Sequence, residues 1–350
     1  MLKKISFGVL IASALLFAET KAQIEKLIGN MFIVGFEGQK IDSNSQIIKD
    51  IQKYNLAGVI LFSKNIESPK QLKNLTNKLH SSKDKLLIAI DQEGGKVQRL
   101  SPKNGFRAYS SATTVAQNGK VGQYNTMAKE LHSMGINFNL APVVDLALNP
   151  KNRVIVGLKR SFGSDPKNAT NYASSFIKSM NRYSVLTSIK HFPGHGSSLG
   201  DTHKGFVDVT NDWKYKELEP YQELIESGMV DSVMVAHVYN KKIDAQYPAS
   251  LSNKTINGLL RSQLGYNGVV ISDDLQMRAI SQHYTLQNTI KLAINSGMDI
   301  LLFCNQLNPK QRVSTQTLID TTYALLQNKE ISLEQIKQAN QRINQLKSKI

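Results

Sequence analysis

The sequence predicts an α/β fold in the form of a single (β/α)8 barrel of the TIM type. Eight short apolar runs recur along the chain, and a segment with helical character follows each of them. The runs are rich in valine, isoleucine and leucine and nearly continuous in hydrophobicity, which is typical of parallel strands buried on both faces. Eight strand-then-helix units favour a closed barrel, and an open doubly wound sheet is the alternative.

The strands and helix ends can be placed one by one. The eight predicted strands occupy residues 31–36, 57–62, 86–91, 136–146, 186–192, 232–238, 268–274 and 298–304. Four glycines precede strands at the positions expected for helix C-caps, namely Gly135, Gly228, Gly265 and Gly297. The last segment opens with Ser332 and Gln335, the spacing of a capping box. Its predicted apolar face consists of Ile336, Ala339, Ile343 and Leu346.

The composition fits one folded domain that follows a leader. Of 350 residues, 41% are hydrophobic and 20% charged, and the single cysteine excludes an internal disulfide and a cysteine-based zinc site. Lys3 and Lys4 precede an uncharged apolar run that is short for a membrane span. We therefore predict a signal peptide over residues 1–22, cleaved after Ala18 or Ala22, and one domain over residues 23–350. Export to the periplasm or medium is expected. The alternatives are an uncleaved membrane anchor, or a cytoplasmic protein where the N-terminus does not function as a signal.

The formal net charge of +16 favours anionic partners such as a cell-wall or membrane surface. The lysines are scattered along the chain and are not clustered with aromatic residues, so no nucleic-acid partner is predicted. The sequence carries no signal of an oligomeric state.

Active residues of barrel enzymes lie at the carboxyl ends of the strands and in the loops that follow. Polar side chains are concentrated at these positions in the present sequence. They are Asp91, Gln92 and Glu93 after strand three, Asp145 after strand four, Lys190 and His191 after strand five, His237 after strand six, and Asp273 and Asp274 after strand seven.

The loop KHFPGHGSSLGDTH, residues 190–203, admits several interpretations. Its three histidines could bind a metal, but Pro193 opposes a helical His-x-x-x-His site and neither an HExxH nor a Walker motif is present. The closing Asp201-Thr202-His203 offers a carboxylate that can orient the imidazole, which suits a proton donor and acceptor. A solvated or structural pair is the alternative interpretation.

Three further motifs carry polar groups that suit a sugar. In SDDLQM, residues 272–277, one carboxylate could be a nucleophile, or an aspartate could cap a helix. In DQEGGKVQRL, residues 91–100, Asp91 could accept hydrogen bonds and Arg99 donate them, or the segment is a turn with surface charges. In KRSFGSDP, residues 159–166, Arg160 is another donor, or the segment is a loop before a helix capped near Ser164 or Asp165.

The residues that carry a family resemblance lie in four segments: KHFPGHG with the Asp-Thr-His that follows it, DQEGGKVQRL, RSFGSDP and VISDDLQM. Together these segments resemble glycoside hydrolase family 3 β-N-acetylglucosaminidases that act on peptidoglycan fragments. The resemblance extends in order over essentially all of residues 23–350, and it implies that this domain is catalytic. It implies a nucleophile at Asp273 and an acid/base at His203 that Asp201 orients. It also implies sugar contacts at Asp91, Arg99, Arg160, Lys190 and His191, with His237 as a weaker candidate.

The implied reaction is retaining exo-hydrolysis of a terminal β-linked N-acetylglucosamine from a carbohydrate substrate, with no metal or organic cofactor. Phosphorolysis is an alternative, because a neutral histidine base repels phosphate less than a carboxylate does. A β-glucosidase or a chitooligosaccharide exo-hydrolase on the same scaffold, and a non-catalytic exported sugar-binding protein, also remain open. The signal-like N-terminus departs from many relatives, which are cytoplasmic.

Overall fold

A parallel sheet of eight strands forms the centre of the molecule. The computed structural model describes residues 19–306 and 312–350, so the predicted apolar leader segment up to Ala18 lies outside the described residues. The eight strands are β1 (Phe32–Gly35), β2 (Gly58–Leu61), β3 (Leu87–Ile90), β4 (Phe138–Asn139), β5 (Leu186–Phe192), β6 (Ser232–Val235), β7 (Val269–Ser272) and β8 (Leu301–Phe303). Every residue in these strands is buried, which confirms the prediction from their continuous hydrophobicity.

The sheet closes on itself. Strands β1 to β7 pair in chain order, all in parallel, and β8 pairs with β1. The last gap, between β7 and β8, is bridged where Ser272 N donates to Ile300 O at 3.0 Å. The predicted (β/α)8 barrel is thereby confirmed, and an open doubly wound sheet is excluded because no strand edge is left at the end of the order.

Helices surround the barrel. They are α1 (Lys21–Gly29), α2 (Gln46–Tyr54), α3 (Pro69–Ser82), α4 (Ala112–Asn118), α5 (Gln123–Ser133), α6 (Pro166–Asn181), α7 (Glu219–Glu226), a π-helix (Lys254–Gln263), α8 (Arg278–Ser281), α9 (Leu286–Asn295), α10 (Thr315–Gln327) and α11 (Leu333–Lys347). All four glycines predicted as C-caps have positive φ, between 69° and 95°. The Ser332 capping box and the buried apolar face of α11 are also as predicted, and Asp165 caps α6.

The fourth strand is shorter than predicted. The regular part of the run 136–146 ends at Asn139, because Pro142 has no N–H to give to a neighbouring strand. The side chain of Asn139 takes over the pairing role: it accepts from Gln92 N and donates to Gln92 O, each at 3.0 Å. Backbone hydrogen bonds to β5 continue past this point: Ser188 N donates to Ala141 O and Lys190 N to Pro142 O, each at 3.1 Å, and Val144 N donates to Lys190 O at 2.8 Å. The chain therefore stays next to β5 and brings Asp145 to the top of the barrel.

Two short strand pairs lie above the carboxyl end of the barrel. Gln92–Gly94 forms an antiparallel pair with Val97–Gln98 directly after β3. Val207–Asp208 pairs in parallel with Val238–Tyr239 and so connects the loops that follow β5 and β6. Within residues 19–306 and 312–350, none of the helices combines the length and the apolar character that crossing a bilayer requires.

Two lysines approach each other near the N-terminal end of the barrel. Lys347 is buried and donates to Asn30 Oδ1 at 2.8 Å, while Lys83 donates to the carbonyls of Asn55 and Leu56. Burial lowers the pKa of Lys83 to about 8, and burial together with the charge of Lys83 holds the pKa of Lys347 well below its usual range. Neither amine has a carboxylate partner among the described residues.

Because these amines bind protons more weakly in the folded state, unfolding takes up protons below pH 10. The free energy of unfolding is therefore expected to rise by about 2 kcal/mol between pH 7.5 and pH 10. Lys347→Met should reduce this rise without abolishing it, because Lys83 keeps its own buried site, whereas the exposed control Lys254→Met should keep the full rise. Urea denaturation across this pH range measures the effect, and an equal rise in the Lys347→Met variant would contradict it.

Candidate active site

A small cavity of about 110 Å³, lined by both polar and apolar side chains, opens at the carboxyl ends of the barrel strands. Six of the predicted site residues line it: Asp91, Arg99, Lys190, His191, His203 and Asp273. The remaining lining side chains are Ile60, Phe62, Val97, Leu140, Met234, Asp274, Met277, Leu302, Cys304 and Gln306. Predicted site residues that are up to 182 positions apart in the sequence, from Asp91 to Asp273, therefore meet in one place because the parallel strands all end there.

One wall of the cavity is a buried network of charges. Lys190 Nζ lies 2.8 Å from Asp91 Oδ1 and 2.9 Å from Glu93 Oε1. Arg99 Nη2 donates to Asp91 Oδ2 at 3.0 Å, and the guanidinium of Arg160 binds both oxygens of Glu93 at 2.8 Å. Each carboxylate is thus shared between two cations, which fixes the orientation of all five side chains.

The cations decide the ionisation of this network. Burial alone would raise the pKa of Glu93, but Arg160 and Lys190 lower it to about 2. In the same way Lys190 and Arg99 outweigh burial and hold the pKa of Asp91 well below its usual range. Both carboxylates are therefore charged at neutral pH, and Asp91 presents fixed acceptor oxygens to the cavity.

Removal of Lys190 is expected to weaken the fold in a pH-dependent way. The Lys190→Met variant should lose about 3 kcal/mol of unfolding free energy at pH 7, because Asp91 and Glu93 each lose a buried cation. The depressed pKa of Glu93 contributes stability above pH 4.5 that is lost as the pH falls toward 2, so the deficit should shrink at pH 3. Denaturation at both pH values, with exposed Lys103→Met as control, checks this. A variant as stable as the wild type at pH 7 would contradict it.

Behind this wall lies a second layer. His191 Nδ1 lies 2.6 Å from Asp145 Oδ2, and its Nε2 lies 3.3 Å from Arg160 Nη2. Because a carboxylate only accepts, Nδ1 carries the proton and Nε2 accepts from the guanidinium. Arg160 itself does not line the cavity. The structure thus places Arg160 where it fixes Glu93 and His191, while His191 reaches the cavity surface.

Asp273 and Asp274 have separate environments. Asp273 Oδ1 accepts from Asp274 N at 2.8 Å, and Oδ2 receives no hydrogen bond from residues 19–306 or 312–350. Asp274 Oδ1 instead accepts from the backbone N–H groups of Gln276 and Cys304, both at 3.1 Å. Asp274 therefore ties β7 to β8, and it does not cap a helix, since Met277 is the N-cap of α8.

The pKa values of the two aspartates move in opposite directions. Burial raises the pKa of Asp274 to about 6. Burial acts in the same sense on Asp273, but the neighbouring histidines His237, His191 and His203 outweigh it and lower its pKa. Asp273 is the carboxylate that is ionised and has an oxygen without a hydrogen-bond partner in the described part of the chain, which is what a nucleophile requires.

His237 is fully buried and supports the nucleophile from behind. Its Nε2 donates to the carbonyl of Asp274 at 2.9 Å, and its Nδ1 accepts from Ser250 Oγ at 2.7 Å. Both ring nitrogens are occupied and the side chain does not line the cavity. Its position therefore differs from the rim position expected from the sequence: it fixes the backbone next to Asp273.

The first half of the long loop after β5 is anchored in the protein. Glu217 accepts from Gly196 N at 3.0 Å and from Ser197 Oγ at 2.6 Å, and burial raises its pKa to about 7. Asn152 donates to the His195 carbonyl at 2.8 Å. A Cβ on Gly196 would lie 1.7 Å from the carbonyl oxygen of Leu146. Gly196 is therefore needed for close packing, and residues 193–198 form a fixed base for the rest of the loop.

The second half of the loop is exposed and carries the predicted dyad. Asp201 Oδ1 accepts from both His203 N at 3.0 Å and His203 Nδ1 at 2.8 Å. The ring is 55% exposed, and its Nε2 is left for a ligand because Nδ1 is held by the carboxylate. Thr202 O accepts from Ala279 N at 3.2 Å, which ties this half of the loop to the region after β7.

The three histidines of this loop do not converge. His191 binds Asp145, His195 Nδ1 lies 2.7 Å from Ser198 Oγ, and His203 binds Asp201. Burial lowers the pKa of His195 to about 4, so it is neutral in the folded protein. Among the described residues, no three His, Cys, Asp or Glu side chains are arranged as ligands of one metal ion.

Sequence reasoning missed part of the site. Glu93 and Asp145 were placed at strand ends without a role, yet they hold Lys190, Arg160 and His191 in position. Glu217 was not singled out, because an acidic residue beside a short helix carries no local sign of burial. The signal available for the first two was their position directly after a predicted barrel strand.

The sequence matches the family described as "Glycosyl hydrolase family 3 N terminal domain" over residues 23–346. The chain is 34% identical over 323 residues to a protein from Hydrogenovibrio crunogenus named beta-hexosaminidase, with 85% of this chain and 86% of that protein covered. A Haemophilus influenzae protein of the same name is 36% identical, with 72% and 73% of the two chains covered.

Solved structures agree with this family. A glycoside hydrolase family 3 beta-N-acetylglucosaminidase from Paenibacillus sp. str. FPU-7 has a TM-score of 0.84 at 31% identity, and the match covers 93% of this chain and 62% of that one. A beta-N-acetylhexosaminidase from Beutenbergia cavernae has a TM-score of 0.82 at 26% identity, covering 93% and 98%. The chain therefore belongs to glycosyl hydrolase family 3 and is a glycoside hydrolase of the β-N-acetylhexosaminidase group.

Proposed function

We propose that this enzyme is a retaining exo-β-N-acetylglucosaminidase that removes terminal β-linked N-acetylglucosamine from peptidoglycan fragments through a covalent glycosyl–Asp273 intermediate. The carrying observation is the state of Asp273 in the cavity lining: one carboxylate oxygen is held by the backbone, and the other receives no hydrogen bond from the described residues. His203, held by Asp201, lines the same cavity. A nucleophile and a proton donor therefore share one small site.

In the first step, Asp273 Oδ2 attacks the anomeric carbon as the bond to the glycosidic oxygen breaks. His203 Nε2 donates its proton to that oxygen, and the leaving group departs with it. Asp201 stabilises the imidazolium before the transfer and keeps the proton-bearing nitrogen directed at the cavity. The product is a sugar in ester linkage to Asp273, with inverted configuration at the anomeric carbon.

In the second step, neutral His203 takes a proton from a water molecule, and the resulting oxygen attacks the anomeric carbon from the side the leaving group has vacated. The ester bond to Asp273 breaks and the carboxylate is restored. Two inversions give overall retention. The exposure of His203 suits this step, because the water must reach the ring from outside.

Sugar hydroxyls have ready partners in the charged wall. Asp91 offers acceptor oxygens, and Lys190 and Arg99 offer donors whose positions are fixed by their ion pairs. Held in this way, the groups bind a ring without first ordering their own side chains. A single small cavity favours one terminal sugar over a chain that runs through the site. His191 presents a further polar group at the cavity surface, and Arg160 supports it from behind.

Two observations support the substrate class. The relatives are named as beta-hexosaminidases and the structural neighbours as enzymes of N-acetylated sugars. The net charge of +16 favours an anionic polymer such as peptidoglycan. On the other hand, a β-glucosidase or chitooligosaccharide exo-hydrolase would use the same catalytic pair, and the neutral histidine base would also admit phosphate in place of water.

The test compares initial rates on the 4-nitrophenyl β-glycosides of N-acetylglucosamine and of glucose, and then on a muropeptide and chitobiose. Preference for the N-acetylated aryl glycoside and release of N-acetylglucosamine from the muropeptide support the proposal. Preference for glucose would keep the mechanism and replace the substrate. Sugar 1-phosphate formed in phosphate buffer would replace hydrolysis by phosphorolysis. Binding without any turnover would point to a sugar-binding protein.

The enzyme is further proposed to act in the periplasm or outside the cell. Helix α1 begins at Lys21, and Thr20 caps it by accepting from Gln23 N. Glu19 pairs with Lys337. Cleavage after Ala18 leaves these contacts intact, whereas cleavage after Ala22 removes them, so the earlier site is favoured. N-terminal sequencing of the exported protein distinguishes the two cleavage sites. Glu19 as the first residue would support cleavage after Ala18, and Gln23 as the first residue would exclude it.

A further inference from the structure

Aromatic and aliphatic side chains are exposed on both sides of the dyad. In the described part of the chain, the exposed large hydrophobic residues are Leu158, Leu199, Phe206 and Tyr215. Leu199 precedes Asp201 by two residues and is 60% exposed, while Phe206 follows His203 by three residues and is 51% exposed. A single exposed apolar residue needs no explanation, but one on each side of the proposed catalytic pair in the sequence marks a surface that a ligand covers.

Phe206 is not an isolated ring. Its centroid lies 5.2 Å from the ring of Tyr239 and 5.8 Å from the ring of His283. The three rings come from the loops after β5, β6 and β7, so they gather on the same side of the barrel as the cavity. We name Phe206, Tyr239 and His283 the rim platform. Aromatic rings at these separations support one another and hold a fixed surface.

The backbone beneath Phe206 is fixed. The next residue, Val207, pairs with Val238 in a parallel register, and Val209 N donates to Tyr239 O at 2.8 Å. Tyr239 in turn donates its hydroxyl to the carbonyl of Ala245 at 2.9 Å. The ring is therefore presented on a paired backbone while half of its surface faces solvent. Such a pre-ordered ring binds a ligand with little loss of side-chain freedom.

The reaction determines what lies against this surface. His203 protonates the glycosidic oxygen, so the terminal sugar lies on the Asp273 side of His203 and the leaving group lies on the other side. Phe206 follows His203 closely in the same loop and does not line the cavity that holds Asp273. The ring is thus on the outer side, where the leaving group must emerge.

Resting on the proposed glycosidase function, we propose that the rim platform binds the leaving-group sugar, with a pyranose ring stacked on the exposed face of Phe206. A pyranose presents a face of C–H groups that matches a flat apolar ring, and its hydroxyls stay in water at the edge. The occupant is a second sugar of the substrate. An enzyme built this way discriminates a saccharide leaving group from a small alcohol.

The test measures kcat/KM for two substrates and compares their ratio between the wild type and each variant. One substrate is the β-1,4-linked disaccharide of N-acetylglucosamine, and the other is the 2,2,2-trifluoroethyl β-glycoside, whose leaving group has no ring. Phe206→Leu is expected to lower the disaccharide-to-trifluoroethyl ratio about five- to tenfold, the scale of one lost stacking contact. Phe206→Trp should keep the ratio, as should Tyr215→Leu, which removes an exposed aromatic residue on the segment before α7.

A second readout separates this proposal from the proposed function. In an Asp273→Asn background, the Kd of the disaccharide relative to that of the methyl glycoside of N-acetylglucosamine is measured by calorimetry with and without Phe206→Leu. Weaker binding of the disaccharide, with unchanged binding of the methyl glycoside, supports the rim platform. This holds even if the wild type hydrolyses neither substrate, because that result would contradict the glycosidase function alone. Equal loss on both substrates would make Phe206 a support for His203 and overturn the proposal. An unchanged ratio in both readouts, or weakened binding of both ligands alike, would also overturn it.

Discussion

Replacement of Asp273 by glycine is expected to lower kcat/KM on 4-nitrophenyl β-N-acetylglucosaminide by on the order of 10⁵-fold, the scale of losing a covalent nucleophile. The described cavity lining contains three carboxylates. Asp91 is paired with cations and Asp274 accepts from two backbone N–H groups, whereas Asp273 is ionised and has neither kind of partner. The fold should survive, because Asp273 Oδ1 accepts a single local hydrogen bond, from Asp274 N. Steady-state rates and a thermal unfolding curve measure the two effects.

Azide makes this prediction specific for a nucleophile. In the Asp273→Gly variant, azide fits the vacated space and attacks the anomeric carbon directly, so the product should be the α-glycosyl azide, with inverted configuration. Asp84→Gly, which removes an exposed carboxylate from the segment between α3 and β3, should leave the rate within about twofold and give no azide product. An Asp273→Gly enzyme that retains a tenth of its activity, or gives only β-azide, would exclude Asp273 as the nucleophile.

The fold could be predicted closely because each barrel strand is a local pattern. A run such as residues 57–62 carries its own signal, and the structure places β2 inside it. The helix C-cap glycines likewise act through their own backbone conformation. The fourth strand was overestimated, since the apolar content of residues 136–146 does not reveal that Asn139 and Pro142 end regular pairing. The apolar pattern of the sequence predicted that this segment is buried in the barrel, but it did not predict its hydrogen bonds.

The site was less predictable because its contacts join distant residues. Position after a strand identifies Asp91 and Lys190 as residues of the barrel top, but not that the two form an ion pair 99 residues apart in sequence. Which carboxylate is free also depends on the whole arrangement: Asp273 and Asp274 are adjacent, and only their partners distinguish them. The packing role of Gly196 against Leu146 likewise depends on a contact between distant segments, which the loop sequence does not reveal.

Replacement of His203 by alanine should have an effect that depends on the leaving group. For the disaccharide, whose leaving oxygen needs a proton, kcat/KM is expected to fall by about 10³-fold. For 4-nitrophenyl β-N-acetylglucosaminide the leaving phenolate departs unprotonated, so kcat/KM should fall by only about tenfold while kcat falls more. The second step then limits turnover, because no base activates the water. Burst kinetics with the aryl glycoside reveal an accumulated glycosyl–enzyme.

Azide again distinguishes the roles, now with the opposite stereochemistry. In the His203→Ala variant Asp273 still forms the intermediate, and azide needs no base, so it should restore turnover and give the β-glycosyl azide. Exposed His132→Ala, on α5, should keep kcat on the aryl glycoside within about twofold, since it lies outside the cavity lining and outside the rim platform. Asp201→Asn should show an intermediate loss, because the amide still accepts from His203 N but no longer stabilises the imidazolium. Equal losses on both substrates without azide rescue would show that His203 only shapes the loop, and the proton donor would then have to be sought elsewhere on the cavity wall.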